Sequence, residues 1–151
     1  MGANIRSSTI TNDISTKLES LISEGSRFFT DKNYTDAIRV WIEALDMIPL
    51  PRELHEETLC LETLLGNTYF ILKKYQTAKI YLEHALTNMA AFERDKTLLL
   101  LRLGQIYYET NDIEKAKEYL LNAYLKGGRE IFAMEDPVYY DFLKRLVLSV
   151  E

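Results

Sequence analysis

The fold is decided by a stretch of 34 residues, 59–92, which reads LCLETLLGNTYFILKKYQTAKIYLEHALTNMAAF. Its apolar residues recur at spacings of three and four, which is the period of an α-helix rather than that of a β-strand. Two consecutive lysines, Lys73 and Lys74, interrupt the pattern near its middle. The stretch therefore predicts two consecutive helices joined by a short turn.

The same arrangement of small residues occurs three times along the chain. In each case a glycine lies twelve residues before an alanine, a second alanine follows seven residues later, and an aromatic residue follows the glycine by three. Seven residues is close to two helical turns, so both alanines lie on one face of a helix. We interpret the glycine as facing these alanines where two antiparallel helices approach closely. The three sets are Gly25, Phe28, Ala37 and Ala44; Gly66, Tyr69, Ala78 and Ala85; and Gly104, Tyr107, Ala116 and Ala123.

The repeated unit resembles the tetratricopeptide repeat, a helix-turn-helix unit of about 34 residues. The units cover about residues 18–51, 59–92 and 97–130. The resemblance implies an all-α protein, a right-handed α-solenoid of three stacked units followed by a seventh, C-terminal helix. Successive glycines are 41 and 38 residues apart, which leaves seven and four extra residues between units. We expect these residues to lengthen the first helices of the second and third units at their N-termini.

The two ends of the chain lie outside the repeated units. Residues 1–12 are polar and are predicted to be a flexible N-terminus, with residues 13–151 forming a single domain. Near the other end, Asp136 as N-cap and Pro137 at the first helical position predict a capping helix over about 137–150. A terminal unit needs such a cap because its outer face is otherwise apolar. The predicted packing face of this helix consists of Tyr139, Phe142, Leu143, Leu146 and Val147.

Composition limits the classes of function. The chain has 151 residues, of which 47% are apolar, and its net charge is −5 from 18 basic and 23 acidic residues. This balance argues against binding of nucleic acid or of an anionic membrane, and it slightly favours a basic protein partner. No run of about 18 apolar residues is present to span a membrane. Cys60 stands alone, so no internal disulfide forms, and we expect a reducing cytoplasmic location.

No set of residues has the pattern of a catalytic site. The chain lacks a glycine-rich phosphate loop and a Gly-x-Ser-x-Gly elbow. His55, His84 and Cys60 do not form a zinc-ligand pattern. We predict a surface position for His55 and a small buried or groove-side position for Cys60, rather than a reactive thiol. The chain is therefore predicted not to be an enzyme and to use no cofactor and no metal; a deep polar pocket holding either histidine with carboxylates would favour an enzyme or a small-molecule regulator instead.

The resemblance implies a concave groove lined by the first helices of successive units. Positions at fixed offsets from each glycine face the groove in that family, and Cys60 and Leu98 also occupy such positions. The rings four places after each glycine are predicted to form a column, unless the capping helix or neighbouring units cover them. The predicted groove residues are Glu19, Ile22, Ser26, Phe29, Thr63, Asn67, Phe70, Leu101, Arg102, Gln105, Tyr108 and Glu109.

The function implied by the resemblance is a non-catalytic interaction module that binds a protein or peptide, as a monomer or weak homo-oligomer. Some relatives bind a C-terminal carboxylate through a clamp of five residues, of which this chain matches only Arg102. One alternative is a bacterial immunity protein that neutralises a toxin. It rests on similarity to small bacterial repeat proteins at Pro49-Leu50-Pro51 and at residues 135–139. A secretion chaperone and a self-assembling repeat protein are further alternatives.

Overall fold

The helices predicted from the apolar periodicity are present in the structure. The computed structural model describes residues 10–92 and 94–148, without the side chains of residues 90, 147 and 148. These residues form seven α-helices and contain no β-strand. None of the helices in this part of the chain has the length and apolarity to cross a bilayer. The helices are α1 Asn12–Thr30, α2 Tyr34–Asp46, α3 Glu56–Ile71, α4 Tyr75–Met89, α5 Thr97–Glu109, α6 Ile113–Gly127 and α7 Pro137–Leu143.

Three helical hairpins, α1–α2, α3–α4 and α5–α6, follow one another, and each packs against the next through α2–α3 and α4–α5. The turn inside each hairpin has the same backbone conformation. Lys32, Lys73 and Asn111 have positive φ angles of 60°, 59° and 65°. This left-handed conformation ends a helix and is costly for most L-residues. The break predicted at Lys73–Lys74 is therefore confirmed, and the first and third hairpins turn in the same way at Lys32 and Asn111.

The repeated glycines chiefly make room for a large side chain. A Cβ atom on Gly66 would also lie 3.4 Å from the Ala78 carbonyl oxygen, in line with the predicted glycine–alanine contact. A Cβ atom on Gly66 would lie 2.5 Å from Leu82 Cγ, and one on Gly104 would lie 2.7 Å from Leu120 Cγ. In the first hairpin the Trp41 indole occupies this place against Gly25. The large residue comes four positions after the first alanine, which puts it on the same helix face, and its greater reach brings it to the glycine.

The residues between units lengthen the first helices less than expected. Helix α3 begins at Glu56, three residues before the predicted unit, while Arg52–Leu54 form a separate 3₁₀ turn with Pro51 as its N-cap. Helix α5 begins at Thr97, where the unit itself begins, so the expected lengthening is wrong for the third unit. Asp95 Oδ1 accepts hydrogen bonds from the Thr97 N–H and hydroxyl, at 2.9 and 2.6 Å, and these bonds fix the start of α5.

The C-terminal helix begins as predicted, and helical structure continues to the end of the described residues. The Asp136 side chain accepts from the Val138 N–H, and Pro137 stands at the first helical position. Helix α7 ends at Leu143 and continues as a π-helical turn over Lys144–Leu148. Tyr139, Phe142 and Leu143 are buried against the core of the second and third hairpins, as predicted.

Two parts of the end predictions differ or lie outside the described residues. Leu146 was predicted to pack in the core, but it is 53% exposed, because the π-helical turn changes the face on which it lies. The Val147 side chain and residues 149–151 lie outside the described residues, as do residues 1–9 of the predicted flexible N-terminus. Asn12, assigned to that N-terminus, is the first residue of α1.

Candidate functional site

Two adjoining hollows run along the first helices of the second and third hairpins. One has a volume of about 450 Å³ and the other of about 370 Å³. They share Thr63 from α3, Met89 from α4 and Asp95 from the connection before α5. We call this surface the α3–α5 groove. Its remaining lining residues are Glu56, Leu59, Cys60, Leu64, Asn67, Arg94, Leu98, Leu99, Leu101, Arg102 and Glu135.

The groove presents apolar surface to solvent. Leu98 lies in the first turn of α5 and is 68% exposed, although it lines one of the two hollows. Cys60 is also exposed and lines the other hollow, which agrees with the predicted groove-side position. Burial by the surrounding side chains raises the pKa of the Cys60 thiol, and the charge of Glu57 raises it further. The thiol is therefore protonated at neutral pH and contributes to the groove as a small apolar group.

Four of the predicted groove residues converge on one guanidinium group. Arg102 Nε donates to Asn67 Oδ1 at 3.1 Å, and Arg102 Nη1 donates to Gln105 Oε1 at 2.8 Å. The guanidinium carbon lies 4.4 Å from the centroid of the Phe70 ring, which is a cation–π contact. These contacts join α3 to α5 across the groove.

A fifth residue, Glu135, completes this cluster and was not predicted from the sequence. Its Oε2 accepts from Arg102 Nη1 at 3.2 Å and from Gln105 Nε2 at 3.0 Å. Glu135 lies between the 3₁₀ turn Arg129–Phe132 and α7, outside the three repeated units, so no offset from a glycine identifies it. In the sequence, the feature that could have pointed to Glu135 is its position next to the predicted N-cap Asp136.

The three predicted column rings pack separately, each against neighbouring side chains. The centroids of Phe29 and Tyr34 are 5.3 Å apart, and those of Phe70 and Tyr75 are 5.8 Å apart. Tyr108 packs edge-on against two rings of α7, at 5.5 and 5.1 Å. All three rings are partly buried, so neighbouring helices and the capping helix cover part of each.

The remaining predicted residues lie in different environments. Glu19 and Ser26 are exposed on α1, and neither lines the α3–α5 groove; Ile22 there is partly buried and accepts a hydrogen bond from the Trp41 indole at 3.2 Å. Leu101 is 2% exposed and Gln105 is fully buried, so both lie in the core below the surface of the groove.

Glu109 is exposed, and its carboxylate accepts a hydrogen bond from the Tyr139 hydroxyl at 2.7 Å. Burial and this bond raise the pKa of Tyr139.

Residues 57–124, which cover most of the second and third hairpins, match the family profile described as tetratricopeptide repeat. These two hairpins are tetratricopeptide repeats. The N-terminal domain of stress-induced protein-1 (STI-1) from C. elegans has a similar structure, with a TM-score of 0.66 and 16% identity, over 90% of this chain and 98% of that one. The first TPR of Spaghetti (RPAP3), bound to the HSP90 peptide SRMEEVD, has a TM-score of 0.65 and 19% identity, over 89% and 94% of the two chains. No curated protein sequence matches the chain.

These comparisons confirm the predicted fold, an all-α solenoid of stacked tetratricopeptide hairpins. The matched residues include Gly66, Ala78, Gly104 and Ala116, which belong to the pattern that identified the repeat. The α3–α5 groove is formed by the first helices of the two matched repeats.

A second, polar cavity of about 250 Å³ lies between α2, α3 and α4, and it includes His84. The Glu62 side chain is 8% exposed, and its Oε2 lies 3.3 Å from His84 Nδ1. Thr58 Oγ1 lines the same cavity and is buried without a hydrogen-bond partner. His55, predicted at the surface, is half-buried at the N-cap of α3, and its Nε2 is buried. Within the described residues, no group of three metal-ligating side chains is present.

Glu62→Gln is expected to stabilise the protein at neutral pH. Burial raises the pKa of Glu62 above its ordinary value, and Glu53 raises it further, although His84 acts in the opposite direction. The folded state therefore holds the Glu62 proton to higher pH than the unfolded state does. Stability from this group is present below the ordinary glutamate pKa and is lost as the pH rises through the raised value.

Thermal unfolding measured from acid to neutral pH checks this prediction. The melting temperature of the wild type should fall relative to that of Glu62→Gln as the pH rises above the ordinary range of a glutamate. Glu118→Gln, at an exposed position of α6, is the control and should follow the wild type. A Glu62→Gln variant that is less stable than the wild type at neutral pH would show that the Glu62–His84 pair is net stabilising.

Proposed function

We propose that the chain is a non-catalytic interaction module that binds a segment of a partner protein in the α3–α5 groove. The observation that carries this proposal is Leu98, a 68% exposed leucine that lines one of two adjoining hollows. Covering a leucine side chain stabilises a complex by about 1.5–3 kcal/mol. The two hollows together provide room for side chains on either side of Leu98.

The comparisons support an interaction role in general terms. Tetratricopeptide repeat domains serve as interaction modules, and the similar domain of Spaghetti is bound to a peptide. The pre-formed groove also favours this role, because Arg102, Asn67 and Gln105 are already held in place by one another. A partner would therefore bind without the cost of ordering these side chains.

Selection of a random displayed peptide library on the full chain tests the proposal. Peptides that bind the wild type should bind Leu98→Gln about tenfold more weakly, because they lose the apolar contact. Leu125→Gln is the matched control, since Leu125 is 69% exposed on α6 and lines neither hollow. Equal losses in the two variants, or peptides that bind Leu98→Gln as tightly as the wild type, would place binding elsewhere.

The three rings predicted to form a column are less suitable for substitution than Leu98. Phe29, Phe70 and Tyr108 pack against neighbouring rings, so alanine at these positions would disturb the repeats themselves. Leu98 is exposed, and its substitution is expected to change stability by less than about 0.5 kcal/mol.

The finer role that we propose is an adaptor in the cytoplasm that acts as a monomer or weak homo-oligomer. The net charge of −5 supports a basic protein as partner. A toxin with a basic surface is one such partner, and the chain would then be its immunity protein. If a toxin is encoded next to this chain, co-expression of the two should restore growth, and continued growth arrest would exclude that toxin as the partner.

A further inference from the structure

The two arginines that line the α3–α5 groove are both paired within the chain. Arg94 forms an ion pair with Glu56. Arg102 forms one with Glu135, and the two side chains are only 23% and 21% exposed. Among the described residues lining the groove, no other cation is present. The groove therefore offers no unpaired positive charge to a ligand.

The charge that remains is that of Asp95, which lines both hollows and forms no ion pair in the described part of the chain. Its Oδ1 accepts both hydrogen bonds from Thr97, and these bonds lower the pKa of the Asp95 carboxyl. Lys126 adds to this effect from a distance, and the exposed Lys96 lines neither hollow. Asp95 is thus ionised at neutral pH and lies beside the apolar side chains of Met89 and Leu98.

Glu135 occupies the position that a ligand carboxylate would need. An incoming carboxylate could bind Arg102 only by displacing Glu135, which also accepts from Gln105. If Glu135 stayed in place, two carboxylates would share one guanidinium, and the partly buried site would strengthen their repulsion. The contact of Arg102 with the Phe70 ring further restricts the approach of another group to the guanidinium.

Resting on the proposed function, we propose that the groove selects a partner segment with an apolar side chain close to a lysine or arginine, and that Glu135 excludes acidic segments. The apolar side chain packs beside Leu98, and the basic side chain lies against Asp95. Glu135 neutralises Arg102, so the basic side chain meets no repulsion in the groove. Glu135 is therefore the residue that determines the charge of the ligand.

Two substitutions that conserve shape test this assignment with the peptides selected on the wild type. Those peptides should contain Lys or Arg near an apolar residue and be poor in Asp and Glu. Asp95→Asn should weaken their binding by up to about fivefold, as expected for a solvent-exposed charge pair. Higher salt should weaken binding to the wild type more than binding to Asp95→Asn.

Glu135→Gln should change the selectivity, because it releases the charge of Arg102 while retaining an amide in the same place. Basic peptides should bind this variant more weakly, and a second selection on the variant should yield peptides richer in Asp and Glu. Lys117→Gln on α6 is the control for a change in overall charge and should change neither selection.

The outcomes separate this inference from the proposed function. Selected peptides that depend on Leu98 but are acidic, or that bind Asp95→Asn and Glu135→Gln as they bind the wild type, would overturn the inference alone. Peptides that are indifferent to Leu98→Gln, or a selection that yields none, would overturn the proposed function and the inference with it.

Discussion

Trp41→Ala should lower the free energy of unfolding by about 3–5 kcal/mol. Trp41 is 1% exposed, fills the space above Gly25 and donates through Nε1 to the Ile22 carbonyl at 3.2 Å. Truncation removes these contacts and leaves a cavity between α1 and α2 that the glycine cannot fill. A loss of this size is a large part of the stability of a typical domain, which is about 5–15 kcal/mol.

Urea unfolding followed by far-UV circular dichroism measures this loss without relying on the tryptophan signal. Trp41→Leu is the matched control, because leucine stands at the equivalent positions of the second and third repeats, as Leu82 and Leu120. Leucine should restore part of the lost stability. If Trp41→Ala cost less than about 1 kcal/mol, or if leucine were no better than alanine, the packing assigned to the first repeat would be wrong.

Gly104→Val is expected to cost about 3 kcal/mol, at the upper end of what overpacking of a core costs. A Cβ atom on Gly104 would lie 2.7 Å from Leu120 Cγ and 3.0 Å from the Leu120 backbone nitrogen. A rotation of the leucine side chain can relieve the first contact, but only a shift of the backbone can relieve the second. Helix propensity acts in the opposite direction, since valine is a better helix former than glycine.

A double-mutant cycle with Leu120→Ala identifies the cause of this loss. Leu120→Ala alone should cost about 2–5 kcal/mol, and the double variant should cost clearly less than the sum of the two single variants. The valine at position 104 would then fill space that the leucine has left. Losses that add to within about 0.5 kcal/mol would show that the two residues are not coupled.

The hairpins could be predicted from the sequence because local features determine them. The periodicity of the apolar residues defines the helices, and residues of positive φ at Lys32, Lys73 and Asn111 end the first helix of each hairpin. The large side chain that packs on each glycine was not predicted, because spacing gives the helix face on which a residue lies and not how far its side chain reaches. Because the alanines and the leucine lie on the same face of the second helix, spacing alone could not show which of them packs against the glycine.

The connections between repeats were predicted less well. A 3₁₀ turn at Arg52–Leu54 and the hydrogen bonds from Thr97 to Asp95 set the helix starts. Such short side-chain and turn contacts compete with helix extension on nearly equal terms, so the number of extra residues does not determine how long the helix becomes.

The site was predicted in part, because offsets within the repeat identify residues of the repeat only. The offsets selected Asn67 and Phe70, and Arg102 was placed near them; the structure shows Arg102 in contact with both. They could not identify Glu135, whose position depends on how the chain returns from α6 to α7. The separation of Phe29 from the α3–α5 groove likewise depends on the packing of whole helices.

Mapping a selected peptide onto the protein by NMR tests the central claim most directly. Addition of the peptide to the wild type should shift the signals of Thr63, Asn67, Leu98 and Arg102, on α3 and α5, and it should leave α2 and α6 unchanged. The shifts should disappear with Leu98→Gln and persist with Leu125→Gln. Shifts centred on the cavity beside Glu62 and His84, or on α6, would contradict binding in the α3–α5 groove.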